Sequence, residues 1–260
     1  MAELQALIFD VDGTLADTER DGHRVAFNRA FAAAGLDWEW SVDVYGELLA
    51  VTGGKERMRY YLDHYNTTFK WPTDLEELIA RLHVDKTRHY TEMLAGGRIP
   101  LRPGVFRLLQ EARATGLRLA IATTTTPANV VALLGCAQPA IPLDWFEVIA
   151  AGDIVPAKKP ASDIYVFVLQ KMRLDAGQCL AFEDSENGVR SACGAGLITI
   201  ITPNDYTHDH DFSDACLVVS DLGEPGAPFR VLHAEAAVNA TQVDVALLRR
   251  LHADCGGGRM

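Results

Sequence analysis

From Val105 to Thr202 the chain alternates two hydrophobic periods, and this alternation restricts its fold more than any other feature. Val105, Leu108, Leu109 and Ala112 repeat at i, i+3, i+4 and i+7 behind Pro103-Gly104, which predicts an amphipathic helix stopped by Gly116. Leu117 to Ala122 follows as a continuous apolar strand. Pro127 suits the first turn of the next helix, and Phe146 to Ala151 is the next apolar run. Ile164, Phe167, Val168 and Met172 give another helix face, with Ser162 as its N-cap. Cys179 to Phe182 predicts a strand, Gly188 to Ala195 a short helix, Ile198 to Thr202 a strand, and Cys216 to Ser220 an edge strand. Leu4 to Phe9 is a short buried strand at the start of the chain. Apolar strands separated by amphipathic helices predict an α/β fold, a Rossmann-like parallel sheet with helices on both faces. Ligands of such sheets bind at the C-terminal strand ends, so the residues just after each strand carry the functional information.

Residues 17–95 follow a different pattern. Ala26, Phe27, Ala30, Phe31 and Ala34 have helical spacing, Asp74 to Tyr90 is a long helical stretch, and no strand pattern appears. The expected organisation is therefore a core of residues 1–16 and 96–260, with a small all-helical cap of residues 17–95 inserted after the first strand. Leu15 to Thr18 would form the outgoing hinge, and Gly96-Gly97 with Pro100 to Pro103 the return. Val243, Leu247, Leu248 and Leu251 predict a last helix within a tail that begins near residue 222, and Gly256-Gly257-Gly258 should fray.

Charge narrows the partners. A net charge of -11 argues against nucleic acid and anionic membrane surfaces, and an anionic ligand would need a local cation to overcome that field. No apolar run is long enough to span a bilayer, and no secretory pattern opens the chain, so a cytoplasmic location is expected. Cys136, Cys179, Cys193, Cys216 and Cys255 show neither CxxC nor metal-type spacing, which predicts unpaired thiols in a reducing compartment.

The predicted strand ends carry the chemistry. The first ends in Asp10-Val11-Asp12-Gly13-Thr14, two carboxylates converging on one space, able to divide the roles of nucleophile and general acid/base. The strand at Leu117 delivers Thr123-Thr124-Thr125-Thr126, hydroxyls and amides suited to phosphate oxygens. Lys158-Lys159-Pro160 offers a point charge to a phosphoryl group, and Glu183-Asp184 supplies oxygen donors of the kind magnesium prefers. Each cluster alone would pass for a turn, a cap or a solvated pair. Their order, each near a strand end, is what points to phosphoryl transfer.

Asp10-Val11-Asp12-Gly13-Thr14, Thr123, Lys159-Pro160 and Glu183-Asp184 resemble the four motifs of the haloacid dehalogenase (HAD) superfamily. The resemblance implies that Asp10 is a nucleophile forming an aspartyl-phosphate, and that Asp12 protonates the leaving group and then activates water. It assigns Thr123 and Lys159 to the phosphoryl group. Mg2+ would be held by Asp10, the Asp12 backbone carbonyl and Asp184, supported by Glu183. The acid at Asp12 separates this chain from dehalogenases, whose halide leaves unaided.

The insert resembles the small cap of beta-phosphoglucomutase-like members. Its run Thr52-Gly53-Gly54-Lys55-Glu56-Arg57, with Asp17-Thr18-Glu19 and Ala157-Lys158-Lys159-Pro160, looks closest to the CbbY-type phosphatases, among them hydrolases of xylulose-1,5-bisphosphate. That resemblance implies a sugar bisphosphate substrate: Lys55 and Arg57 would meet the distal phosphate, Glu19 a sugar hydroxyl, and His64 and His23 the cleft wall. Thr124 and Thr125 would assist at the core phosphate. A phosphomutase, a phosphatase of another small metabolite, a phosphonatase using Lys55 and an inactive scaffold are the competing readings, and the intact Asp10, Asp12, Lys159 and Asp184 speak against the last. Ser162 stands where relatives commonly have a second proline.

Overall fold

The computed structural model describes residues 2–70, 74–97, 99–235 and 237–256. Among them, β1 (Ala6–Phe9), β2 (Arg118–Thr123), β3 (Val148–Ala151), β4 (Cys179–Glu183), β5 (Ile198–Ile201), β6 (Leu217–Val219) and β7 (Val231–Ala234) form one sheet ordered β3-β2-β1-β4-β5-β6-β7. Pairing is parallel from β3 through β6, and β7 joins β6 antiparallel. Between β1 and β2 lie α1 (Arg24–Ala33), α2 (Val42–Leu48), α3 (Gly54–His64), α4 (Leu75–Ala95) and then α5 (Val105–Ala114). α6 (Pro127–Cys136) follows β2, α7 (Asp163–Met172) precedes β4, α8 (Glu186–Gly194) follows β4, and α9 (Val245–Gly256) comes last. No helix among the described residues is long and apolar enough to cross a membrane.

Alternate residues of a strand face opposite sides of the sheet, and here both sides are buried. Leu7, Phe9, Leu119, Ile121, Leu180 and Phe182 pack against Leu108 and Leu109 of α5, Leu133 of α6, and Leu248 and Leu251 of α9. Ala6, Ile8, Ala120, Ala122 and Ala181 meet Ile164, Tyr165 and Val168 of α7. Small residues on this second face let α7 approach closely, while each large side chain buried on the first contributes about 1.5–3 kcal/mol. The result is the α/β sheet covered on two faces that the apolar runs predict.

The helices before β2 build their own apolar centre. Phe27, Phe31, Trp38, Trp40 and Tyr45 cluster with Met58, Leu62, Leu78, Ile79 and Leu82, and Phe31 meets Trp40 edge-on at 4.9 Å. Tyr90, Met93 and Leu94, on the last turns of α4, instead join the sheet-side core. The chain leaves and returns along paired segments: Ala16 bridges antiparallel to Leu101, and the Arg102 amide donates to the Leu15 carbonyl at 2.9 Å.

Two expectations need correction. Cys216 to Ser220 does not supply the sheet edge, because β7 lies outside it. β7 was not legible since its side chains are mostly exposed and its apolar run, Val231-Leu232, is only two residues long. In the tail, Val245, Leu247, Leu248 and Leu251 of the expected last helix are buried in the sheet-side cluster, while Gly257 and Gly258 lie outside the described residues. Finally, Cys216 and Cys255 form a disulfide across 39 residues, joining the start of β6 to the end of α9. Spacing could not show it, since the pair meets only through the tertiary fold; Cys136, Cys179 and Cys193 are free. Ser162 occupies the N-cap position of α7 without a side-chain capping bond.

Candidate active site

The parallel register brings the motif residues together. Phe9 pairs with Ile121 on one side and Phe182 on the other, and the Phe9 and Phe182 rings stack at 4.4 Å. Asp10 and Glu183 are the residues immediately after that aromatic floor, and Thr123 is the last residue of β2. Above them opens a cavity of about 280 Å³, with Asp10, Asp12, Thr123, Thr124, Lys159, Glu183 and Asp184 on its sheet side. Glu19, Thr52, Gly53 and Arg57 line it from the helical side.

Lys159 is the hub of the sheet side. Its Nζ donates to Asp10 Oδ1 at 2.7 Å, to the Ala122 carbonyl at 2.9 Å and to Glu183 Oε1 at 2.5 Å. Tyr165 donates to the same Glu183 oxygen at 2.5 Å. Burial works against the ammonium, but the charges of Asp10 and Glu183 hold its pKa above the ordinary lysine value. Burial also pushes Asp10 up to about 8, reinforced by Glu183 and opposed by Lys159, and raises Asp184 well above the carboxylate range. Glycine is required twice here. Gly13 has φ +86°, and a Cβ on it would lie 2.1 Å from Asp184 Oδ2. A Cβ on Gly188, in the first turn of α8, would lie 2.0 Å from Glu183 Oε2.

Oxygens of Asp10, Glu183 and Asp184 lie within 4.8 Å of one another. When all three are ionised, these buried carboxylates face one ammonium with two negative charges in excess, which burial resists by raising Asp10 and Asp184, and all the donors are hard oxygens. That charge and that chemistry fit a divalent cation such as Mg2+.

Asp12 is treated differently. Its carboxylate accepts from Thr18 Oγ1 at 2.6 Å and meets His23 Nε2 at 2.8 Å. His23 Nδ1 lies 2.9 Å from Lys86 Nζ. Burial would raise Asp12, but the charge and hydrogen bond of His23 and the Thr18 hydroxyl outweigh it and hold Asp12 below the usual range. Lys86, whose Nζ sits 5.0 Å from the Phe27 ring centroid, is pushed down to about 8 by burial. Two neighbouring acids therefore have opposite surroundings: Asp10 is pressed toward the neutral form, Asp12 toward the charged one. His23 was weighed as a cleft residue; Lys86 was missed, because a lysine within a long amphipathic helix reads as solvated surface.

On the helical side, Arg57 is buried and donates to the Leu48 carbonyl at 3.2 Å and the Tyr45 hydroxyl at 2.9 Å. Tyr45 in turn donates to Glu19 Oε2 at 2.5 Å. Asn187 of α8 donates to the Thr52 hydroxyl at 3.2 Å. Other predicted residues face elsewhere. Lys55 pairs with Asp153 at 2.7 Å outside the cavity. His64 is exposed and stacks on Tyr60 at 3.9 Å, outside the cavity lining. Thr125 accepts from Asn129 Nδ2 at 2.8 Å and, with Gly54, lines a smaller cavity of about 50 Å³ beside His83 and Lys86. Asn204, Thr207 and His210, from the segment after β5, complete the large cavity. No motif marked them.

The haloacid dehalogenase-like hydrolase family matches residues 4–196. The CbbY protein of Cupriavidus necator is 47% identical over 252 residues, covering 96% of this chain and 97% of that protein. The chain belongs to the haloacid dehalogenase-like hydrolases. CbbY of Rhodobacter capsulatus is 53% identical over 220 residues, covering 85% and 94% respectively. A crystal structure of a CbbY variant from Rhodobacter sphaeroides in complex with xylulose-1,5-bisphosphate superposes with a TM-score of 0.78, at 44% identity, covering 84% of this chain and 94% of that one. Within the HAD family the chain falls in the CbbY-type branch, and it is an enzyme of the HAD phosphatase type.

Proposed function

We propose that this enzyme hydrolyses a sugar bisphosphate in a Mg2+-dependent reaction through an aspartyl-phosphate on Asp10, and that xylulose-1,5-bisphosphate is its substrate. The observation that carries the chemistry is the separate placement of the two acids: Asp10 beside Lys159, and Asp12 held apart by Thr18 and His23. The sugar is supported by the Rhodobacter sphaeroides CbbY complex, and a distal anion by buried Arg57 across the cavity.

The first step forms a bond from an Asp10 carboxylate oxygen to phosphorus and breaks the phosphorus–sugar oxygen bond. The departing oxygen takes a proton from Asp12, which must enter this step protonated although His23 and Thr18 favour its carboxylate before substrate binds. In the second step water attacks the same phosphorus and yields a proton to Asp12; the Asp10–phosphorus bond breaks, releasing inorganic phosphate and restoring the carboxylate. Lys159 and Thr123 stand where charge builds on the equatorial oxygens. Asp10, Glu183, Asp184 and the Asp12 backbone would hold Mg2+, which supplies charge neutralisation for both acid and phosphoryl oxygens when bound. His23 and Lys86 orient Asp12 from the helical side, so seating of those helices completes the acid.

The same reading assigns residues 1–16 and 96–260 to a catalytic core and 17–95 to a cap. The separate aromatic cluster and the paired hinge segments support it. In the cap, Glu19 meets a sugar hydroxyl and Arg57 the distal phosphate.

Phosphate release from a panel of sugar mono- and bisphosphates, with Mg2+ and with excess EDTA, tests this reading. Mg2+-dependent release strongest on xylulose-1,5-bisphosphate is expected. Strongest release from another substrate would overturn the cap assignment. Accumulation of a sugar isomer without free phosphate would replace hydrolysis by a phosphomutase reaction.

A further inference from the structure

Arg102 lies within the return hinge, and its side chain is only 7% exposed. A buried guanidinium is costly unless its donors are satisfied, and carboxylates are its usual partners. Here the acceptors are backbone carbonyls. Nη1 donates to Gly13 and, at 2.6 Å, to Thr202; Nη2 donates to Pro203 at 2.7 Å and to Ser220 at 3.0 Å. Asp17 approaches to 3.7 Å but is mostly exposed. The four carbonyls belong to the segments leaving β1, β5 and β6, so one planar group fixes the spacing of three strand ends.

Two of those segments form the walls around Asp184. On one side is Gly13, with space so tight that a Cβ would meet Asp184 Oδ2 at 2.1 Å and Asn204 Nδ2 at 2.7 Å. On the other is Asn204, next to Pro203, whose Nδ2 donates to Asp184 Oδ2 at 2.7 Å. We propose that Arg102 is a positioning residue for the cation-binding carboxylates: by tying the Gly13 and Thr202-Pro203 carbonyls to one guanidinium, it sets the slot in which Asn204 and Gly13 hold Asp184. The fork, not the charge alone, is what the slot needs. A lysine would bring the charge as a single point and could not span carbonyls from three strand ends.

The inference rests on the reading of Asp10, Glu183 and Asp184 as a Mg2+ site, and its test separates the two. Mg2+ affinity is measured by titration calorimetry on wild type, Arg102→Lys, Asn204→Ala and the double variant, with thermal unfolding of each. The wild type is expected to bind Mg2+, and each single variant to weaken binding roughly 10- to 100-fold, the range for partners that orient metal ligands. The double variant is expected to be no weaker than about the worse single, because both changes loosen one slot. No Mg2+ binding by the wild type would remove the metal reading and the clamp with it. A lowered melting temperature with unchanged Mg2+ affinity in Arg102→Lys, or fully additive losses, would overturn the clamp alone. If the Arg102 variants do not fold, the guanidinium N–H resonances of Arg102 in wild-type protein decide: Mg2+ is expected to shift them, and no shift overturns the proposal.

Discussion

The sheet side and the helical side of the cavity are built on different principles. On the sheet side, Asp10, Thr123, Glu183 and Asp184 sit at strand ends whose spacing is set by the register of β1, β2 and β4, and Lys159 reaches them from the loop before α7. On the helical side, Glu19 and His23 come from one short helical segment, Arg57 from α3 and Lys86 from α4, aligned by packing around an aromatic cluster. The first arrangement resists change because moving one residue means moving a strand. The second adjusts through side chains, which suits a surface that selects substrates. The chemistry is thus expected to depend on the sheet side, and the choice of substrate on the helical side.

The largest expected effect lies on the sheet side. Asp10→Asn should abolish steady-state phosphate release, since an amide cannot form the phosphoryl bond, while near-ultraviolet circular dichroism stays native. Appreciable turnover would break the comparison at its base.

Lys86 should show a cost of function in stability. Its pKa, depressed from 10.5 to about 8, means the folded state disfavours the proton that the unfolded chain holds. Below about 8 the penalty is fully present, and stability contributed by this group rises as pH climbs from 8 toward 10.5. Lys86→Met should therefore unfold at higher denaturant than wild type at pH 7, with the gap shrinking by pH 10, and should lower kcat about 10-fold through loss of the contact with His23. A pH-independent gap would remove the buried-charge explanation.

The smallest effects belong to cap residues that face outward. Lys55→Ala breaks a half-exposed pair with Asp153, and His64→Ala removes an exposed ring. Each should change stability by less than about 1 kcal/mol and leave kcat/KM within about threefold. A large loss in either would show that the outward orientation is not the working one.

The same contrast explains what the sequence made legible. Strand-end chemistry is written locally: Asp10-Val11-Asp12 and Glu183-Asp184 follow apolar runs, so position and role could be read together. The cap run Thr52 to Arg57 was legible as a site, but a helix turns successive residues through about 100°, which sent Arg57 inward and Lys55 to Asp153. His64 shares roughly the face of Arg57 but lies two turns, about 10 Å, further along the helix, outside the cavity. The Asn204 contact with Asp184, the Asp12–His23–Lys86 chain and the Cys216–Cys255 disulfide join segments distant in sequence, and no local pattern announces them. The exposed strand β7 offered only the two-residue apolar run Val231-Leu232.

The division of labour is tested most directly by kcat/KM of wild type and Arg57→Ala on xylulose-1,5-bisphosphate and on xylulose-5-phosphate. The account predicts a loss of roughly 10- to 100-fold on the bisphosphate, the range for a charged hydrogen bond, with the monophosphate changed less than about threefold. Equal losses on both substrates would contradict it and return Arg57 to a purely structural role beside Tyr45.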